Sequence, residues 1–242
     1  MRLNLQFVLD KPTLPVDYRP IFVSFIKRCL SKHYSDVFEE YYSKQKPITK
    51  PLSFAVKVNR PIFNKDIISF NSEQVLMTFS VGNPRDSIIF YNAFLKSKDN
   101  AFPIADSNIL KLSSVQVLQN RYIEERIVLI RFLSPLVVRV HSSDNKDRYL
   151  NVNDEQEEFQ NHLKEVVKNE VNALAKTNCF TDEFSLEPIK AQATVVKSFG
   201  CMISASLGIF KLTGEPTLIN FLYEAGMGSR RSEGFGLFEI IG

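Results

Sequence analysis

Twice along this 242-residue chain the hydrophobic period switches from two to 3.6 and back in the same order, and this double alternation restricts the fold more than any single motif. The first round opens with Leu3, Leu5, Phe7 and Leu9, an every-second-residue pattern that predicts a half-buried strand. Asp17 can cap a helix that has Pro20 in its first turn and Ile21, Phe22, Phe25, Ile26, Cys29 and Leu30 on one face. Tyr34, Val37, Phe38, Tyr41 and Tyr42 continue at helical spacing until the two prolines of "KQKPITKP" break the pattern. Alternation returns at Phe54, Val56, Val58 and at Val75, Met77, Phe79, Val81. A helix, "DSIIFYNAFLKS", and a strand around Leu112 to Leu118 complete a β-α-β-β-α-β order.

The second round repeats it. Ile123 to Leu133 is an apolar strand run, and Asp154 with Glu157 forms a capping box for a helix with Phe159, Leu163, Val166, Val167 and Leu174 inward. Ala191 to Phe199 and Met202 to Leu212 pair as a hairpin, "EPTLINFLYEAG" is a helix, and "FGLFEII" is a final strand. The fold class is therefore α+β: two tandem ferredoxin-like (RRM-like) βαββαβ domains with antiparallel sheets, each covered by helices on one face. The expected division is 1–122 for the N-terminal domain and 123–242 for the C-terminal one.

Charge is divided between these parts. Residues 1–122 hold 17 Lys and Arg against 10 Asp and Glu, and residues 123–242 hold 13 against 17. A basic N-terminal part favours a polyanionic partner, nucleic acid being the commonest, although a merely soluble basic surface explains the same balance. The longest uncharged run, Ser198 to Phe210, is too short for a membrane span, and "MRLNLQFVLDK" meets a charge too early for a secretory leader. A cytoplasmic location is expected, with no membrane partner. Cys29, Cys179 and Cys201 are too scattered for a disulfide framework or a zinc knuckle, and His33, His141 and His162 show no paired spacing. No metal and no cofactor are expected.

The chain has nine glycines, and five of them fall in the closing "GMGSRRSEGFGLFEIIG". Gly226, Gly228, Gly234 and Gly236 exceed what a helix-to-strand connection needs. With Ser229, Arg230 and Arg231 at its tip, the loop can offer amides and guanidinium groups to phosphate oxygens; the plainer reading is a structural loop. A nucleotide P-loop does not fit, because no GK[ST] follows and the loop leads into a strand.

"YEAGMGSRRSEGFGLFEI" resembles the C-terminal glycine-rich signature of the CRISPR-associated repeat-RNA endoribonucleases of the RAMP superfamily, the Cas nuclease numbered six. "VDYRPIFVSFIKRCLS" is similar to that family's first helix, "FLSPLVVRV" to its second-domain strand with the Ser-Pro step, and "GIFKLTGEPTLINFLYEAG" to the segment leading into the loop. The resemblance implies tandem ferredoxin-like domains that bind the repeat of a CRISPR precursor RNA. It also implies cleavage within that repeat, without a metal, to release guide RNAs.

In such cleavage the ribose 2′-OH attacks the adjacent phosphorus and leaves a 2′,3′-cyclic phosphate and a 5′-OH. One group accepts the 2′-OH proton, another donates to the leaving oxygen, and a cation stabilises the phosphorane. Many family members place a histidine shortly after the first helix; aligned by its helix and strand, this chain has Tyr42 at or beside that position, a departure from the pattern. His33, Tyr42, and Lys46 or Lys50 are the catalytic candidates: His33 for its near-neutral pKa, Tyr42 for positioning or donation, a lysine for charge. Each also has a plain reading, as an exposed helix-end residue, a core aromatic or a solvated cation. Lys27 and Arg28 on the first helix, with Gly226, Gly228, Ser229, Arg230, Arg231, Gly234 and Gly236 of the loop, are the candidate RNA contacts. Bases can stack on Tyr34 or Phe235 if these are exposed. Expected partners are repeat RNA, other CRISPR effector subunits and a second copy of the chain. The competing functional readings are a relative that holds repeat RNA without cutting it, and a structural subunit of an effector complex.

Overall fold

The computed structural model describes residues 1–43, 48–119, 121–141, 147–174 and 181–242. The chain divides into two compact units: Met1–Ile48, Ala55–Asn120 and Lys197–Cys201 form one, and Thr49–Phe54, Arg121–Val196 and Met202–Gly242 the other.

In the first, the elements are β1 (Arg2–Leu9), β2 (Thr13–Pro15), α1 (Arg19–His33), α2 (Ser35–Tyr42), β3 (Leu52–Val58), β4 (Ile62–Phe63), β5 (Ile67–Ser69), β6 (Gln74–Val81), α3 (Pro84–Lys96), β7 (Ala101–Ile104) and β8 (Asn108–Val117). The main sheet runs β3-β6-β1-β8-β7, and β2-β5-β4 form a small second sheet. Leu3, Leu5, Phe7 and Leu9 all point to one face and are fully or almost fully buried, as their alternation requires. Phe22 and Phe25 of α1 meet Phe7 edge-on, while Phe90 and Phe94 of α3 meet Phe79 of β6. These rings form the core between sheet and helices.

The second unit contains β9 (Ile127–Phe132), β10 (Val138–Val140), β11 (Arg148–Leu150), α4 (Gln156–Leu174), β12 (Ser185–Ser198), β13 (Cys201–Thr213), α5 (Pro216–Ala225), a 3-10 turn (Arg231–Glu233) and β14 (Phe238–Ile240). Its sheet runs β12-β13-β9-β14, with β10 and β11 paired separately. Numbered by role in a βαββαβ unit, both main sheets follow the same 4-1-3-2 order, with β7 added at one edge of the first. The expected fold class, two tandem ferredoxin-like domains with antiparallel sheets, is the observed one. Val128, Ile130 and Phe132 of β9 face Phe159, Leu163 and Val167 of α4 and Leu218, Ile219 and Leu222 of α5 in one core.

Several local expectations change. Asp17 does not cap α1: the N-cap is Tyr18, with no side-chain hydrogen bond. The Asp17 carboxylate instead accepts the Phe199 and Gly200 amides at 3.1 and 2.8 Å, because a turn that leaves its own donors unpaired competes for it. Asp154 accepts from the Asn151 amide at 2.6 Å, closing a turn before α4 instead of reaching into its first turn. The helical run after Tyr34 is a separate helix, α2, since Tyr34 leaves helical geometry at φ −149° and ψ 66°. The strand expected from Ile123 starts at Ile127; Ile123 is buried and exchanges two hydrogen bonds with the Asn220 side chain. Among the described residues no helix is long and apolar enough to cross a membrane.

Candidate RNA-processing site

The glycine-rich segment is built inward. Gly226 ends α5 at φ +82° and returns its amide to the Leu222 carbonyl at 2.8 Å. Met227 donates to the Gly236 carbonyl, Gly236 to the Pro135 carbonyl, Ser229 to the Val137 carbonyl and Gly234 to the Arg231 carbonyl. The Leu237 amide donates to Ser134 Oγ at 3.0 Å. The loop is thus stitched to the Ser-Pro step and to the strand that follows it.

Space explains the glycines. A Cβ on Gly234 would sit 2.7 Å from the Phe54 ring, one on Gly228 would sit 2.6 Å from Leu136 Cδ1, and one on Gly236 would collide with the Met227 carbonyl oxygen. The amides of Met227, Ser229, Glu233, Gly234 and Gly236 are taken by carbonyls of the loop itself and of Pro135 and Val137, so these five are not open to a phosphate.

The two arginines differ. Arg231 is buried: Nε lies 3.1 Å from Glu170 Oε1 of α4, and Nη1 donates to the Ala225 carbonyl at 3.2 Å. It does not present a guanidinium at the tip. Arg230 takes a left-handed backbone at φ +58°, donates to Glu233 Oε2 and Tyr149 Oη, both at 2.8 Å, and stays partly exposed. Ser229 Oγ accepts from the Arg139 amide at 3.3 Å, and the Arg139 guanidinium pairs with Asp147. His141 also pairs with Asp147, at 3.2 Å. Phe235 has no exposed surface, so it cannot stack a base.

In the first unit, Lys27 and Arg28 are exposed on α1. Lys27 Nζ sits 4.9 Å from the centre of the Tyr42 ring, and the Arg28 guanidinium 5.4 Å from that of Phe102. Tyr42 also packs on Phe38 and Tyr41, and burial pushes its phenol up, away from any basic role at neutral pH. Tyr41 donates to Asp86 Oδ2 of α3 at 2.6 Å, which ties α2 down.

His33 is the last residue of α1. Desolvation, with Lys32 and Lys96 nearby, holds its imidazole below the ordinary value. Its Nε2 is enclosed without a hydrogen-bond partner. Lys96 Nζ caps the adjacent Tyr34, 4.8 Å above the ring centre. Thus Lys27 joins Tyr42, and His33 joins Lys32 and Lys96, as two separate groups along α1. Lys50 is half-buried, and Lys46 lies outside the described residues. Among the described residues no group of three His, Cys, Asp or Glu side chains is placed to hold a metal ion.

Sequence reasoning missed Glu170, Tyr149 and Asp86. A signal existed for the first: in α4 Glu170 falls three residues after Val167 and seven after Leu163, on the apolar stripe, where a carboxylate needs a buried partner.

Residues 118–240, just over half of the chain, match the family described as CRISPR associated protein Cas6, C-terminal. The chain belongs to the Cas6 family. Over its whole length it is 25% identical to the CRISPR-associated endoribonuclease-like protein Cas6nc of Pyrococcus horikoshii, also covered entirely. Two solved structures share the fold along the full chain. One, described as an RAMP protein binding different RNA substrates, has a TM-score of 0.85 at 23% identity and is covered completely. The other, from a Cas6-related gene of Pyrococcus furiosus, has a TM-score of 0.85 at 22% identity, with 98% of it covered. The Cas6 match spans the loop, α5 and the Ser-Pro step, the parts that the hydrogen bonds above bind into one structure.

Proposed function

We propose that this Cas6 protein binds the repeat of CRISPR precursor RNA and cuts it without a metal. In this reading the ribose 2′-OH attacks the adjacent phosphorus, leaving a 2′,3′-cyclic phosphate and a 5′-OH. The observation that carries it is the placement of His33 at the end of α1, with the Lys32 and Lys96 charges close enough to act on its imidazole. A neutral imidazole accepts the 2′-OH proton, and an adjacent ammonium offsets the phosphorane charge. Lys27, Arg28, Ser229 and Arg230 are phosphate contacts in this reading, while the four glycines and Arg231 hold the loop's shape. Tyr42 orients the Lys27 ammonium, and Lys46 or Lys50, in the link after α2, remains a candidate to stabilise the phosphorane. The domain division at 122/123 and a cytoplasmic location belong to the same proposal.

A second reading is a protein that holds repeat RNA without cutting it. The enclosed His33 Nε2 and the Tyr42 ring packed against Phe38 and Tyr41 favour it, because burial takes both groups out of easy reach of a substrate. Incubating the purified protein with its host's repeat RNA in EDTA decides between them. Cutting by the wild type, blocked by 2′-deoxy substitution at the scissile nucleotide and slowed about 100-fold or more in His33→Ala, is the expected result. Tight binding that leaves the RNA whole would establish the holding role, and a requirement for other effector subunits would then mark a structural component.

A further inference from the structure

On the first unit's main sheet, the face opposite the helices carries an open cavity of about 400 Å³ that none of the candidate catalytic or RNA-contact residues line. Its walls come from Gln6 of β1, Lys57 of β3, Gln74 and Leu76 of β6, and Asn59 and Ser72 beyond the strand ends. Register explains the grouping. Gln6 stands directly opposite Leu76, and Val8 opposite Gln74, on the face that alternates with buried Phe7 and Val75. The Asn71 amide donates to the Asn59 carbonyl at 3.3 Å, which draws the two chain segments together at the rim.

The chemistry of the walls is selective. Three are primary amides, each offering a donor and an acceptor, and one is an ammonium; no carboxylate takes part. Ser114 Oγ donates to Gln6 Oε1 at 3.4 Å, leaving the Gln6 NH₂ to face outward. The side chains of Lys57, Asn59 and Gln74 make no hydrogen bond or ion pair among the described residues. An inorganic anion would use the amide NH₂ donors but leave the carbonyl acceptors idle, and an apolar ligand would strand both. A cavity of this size suits a small organic group with polar edges.

We propose that this cavity seats one unpaired nucleotide of the bound RNA, a base-reading subsite separate from the cleavage candidates. The Gln6, Asn59 and Gln74 amides pair with the base edge, Leu76 lies under the ring, and Lys57 takes the neighbouring phosphate. With no aromatic side chain in the walls, recognition comes from hydrogen bonds more than from stacking. This inference rests on the RNA-binding reading above.

Fluorescence anisotropy with oligo-A, oligo-U and oligo-C RNA, and with the host repeat RNA, tests it on the full chain. In Gln6→Ala/Gln74→Ala the preferred homopolymer should bind about tenfold more weakly and the ranking among homopolymers should flatten. In Lys57→Ala all should weaken together, and the slope of log affinity against log salt should fall by about 0.7. Gln74 and Lys57 are exposed and Gln6 is half-exposed, so thermal unfolding should match wild type and separate lost recognition from lost fold. If the double variant keeps the wild-type affinities and ranking, the subsite is overturned while RNA binding stands. If the wild type binds none of these RNAs, the RNA-binding reading falls and the subsite with it.

Discussion

Arg231 and Glu170 meet out of solvent, Nε to Oε1 at 3.1 Å, with side-chain exposures of 4% and 7%. The pair joins the glycine-rich segment to the C-terminal part of α4, and the Ala225 carbonyl takes a second guanidinium donor. A guanidinium fork serves both partners from one side chain, which an ammonium on a flexible stem does less well.

Removing Arg231 leaves a buried Glu170 oxygen without its donor. Arg231→Ala should lower unfolding free energy by about 1–3 kcal/mol. Arg231→Lys should recover only part of this. Urea denaturation with a linear extrapolation measures both, and equal stability of Arg231→Lys and wild type would contradict the fork argument.

Burial pushes the Glu170 carboxyl up to about 8, against the opposing pull of Arg231 and the Gly228 amide. An acid whose folded pKa is raised binds more protons folded than unfolded between its unfolded value, about 4.3, and 8. Its contribution to stability is present below that window and lost as pH rises through it, by at most about 1.4 kcal/mol per pH unit. In Glu170→Gln the decline from pH 6 to 9 should be shallower than in wild type. Parallel stability profiles for the two proteins over that range would show that Glu170 does not titrate there.

Two glycines with similar backbone angles should respond differently to alanine. Gly236, at φ +69°, has the Met227 carbonyl where a Cβ would go; Gly200, at φ +78°, has nothing within 4 Å. Gly200→Ala should cost only the left-handed backbone strain, about 1–2 kcal/mol. Gly236→Ala must also displace the Met227 and Gly236 backbones and should cost clearly more, read as a larger drop in melting temperature.

Tyr41 donates to a buried Asp86 whose other oxygen has no partner. Tyr41→Phe keeps the ring packing on Phe90 but strips that carboxylate of the donor, at a cost of about 1–3 kcal/mol. Faster amide hydrogen exchange across α2, with α1 unchanged, is the expected local signature. Uniform exchange rates in variant and wild type would mean that α2 is held by its apolar contacts alone.

What could be read from residues in order was whatever depends on local period. Leu3, Leu5, Phe7 and Leu9, or Val128, Ile130 and Phe132, announce their buried face through spacing alone, and the doubled order of elements follows. The family was legible in the same way, because the glycines around Ser229 to Ser232 sit where side chains or backbone approach too closely to leave room for a Cβ.

The fates of polar side chains were another matter. Asp17 and Asp154 carry the signature of helix caps, yet each satisfies amides that only the folded chain brings near. Adjacent Arg230 and Arg231 read alike in sequence, but one bonds Tyr149 at the rim and the other is buried against Glu170, sixty-one positions away. Period and glycine spacing are short-range properties written residue by residue. Burial of a charge depends on which distant group can compensate it, and only tertiary packing supplies that partner.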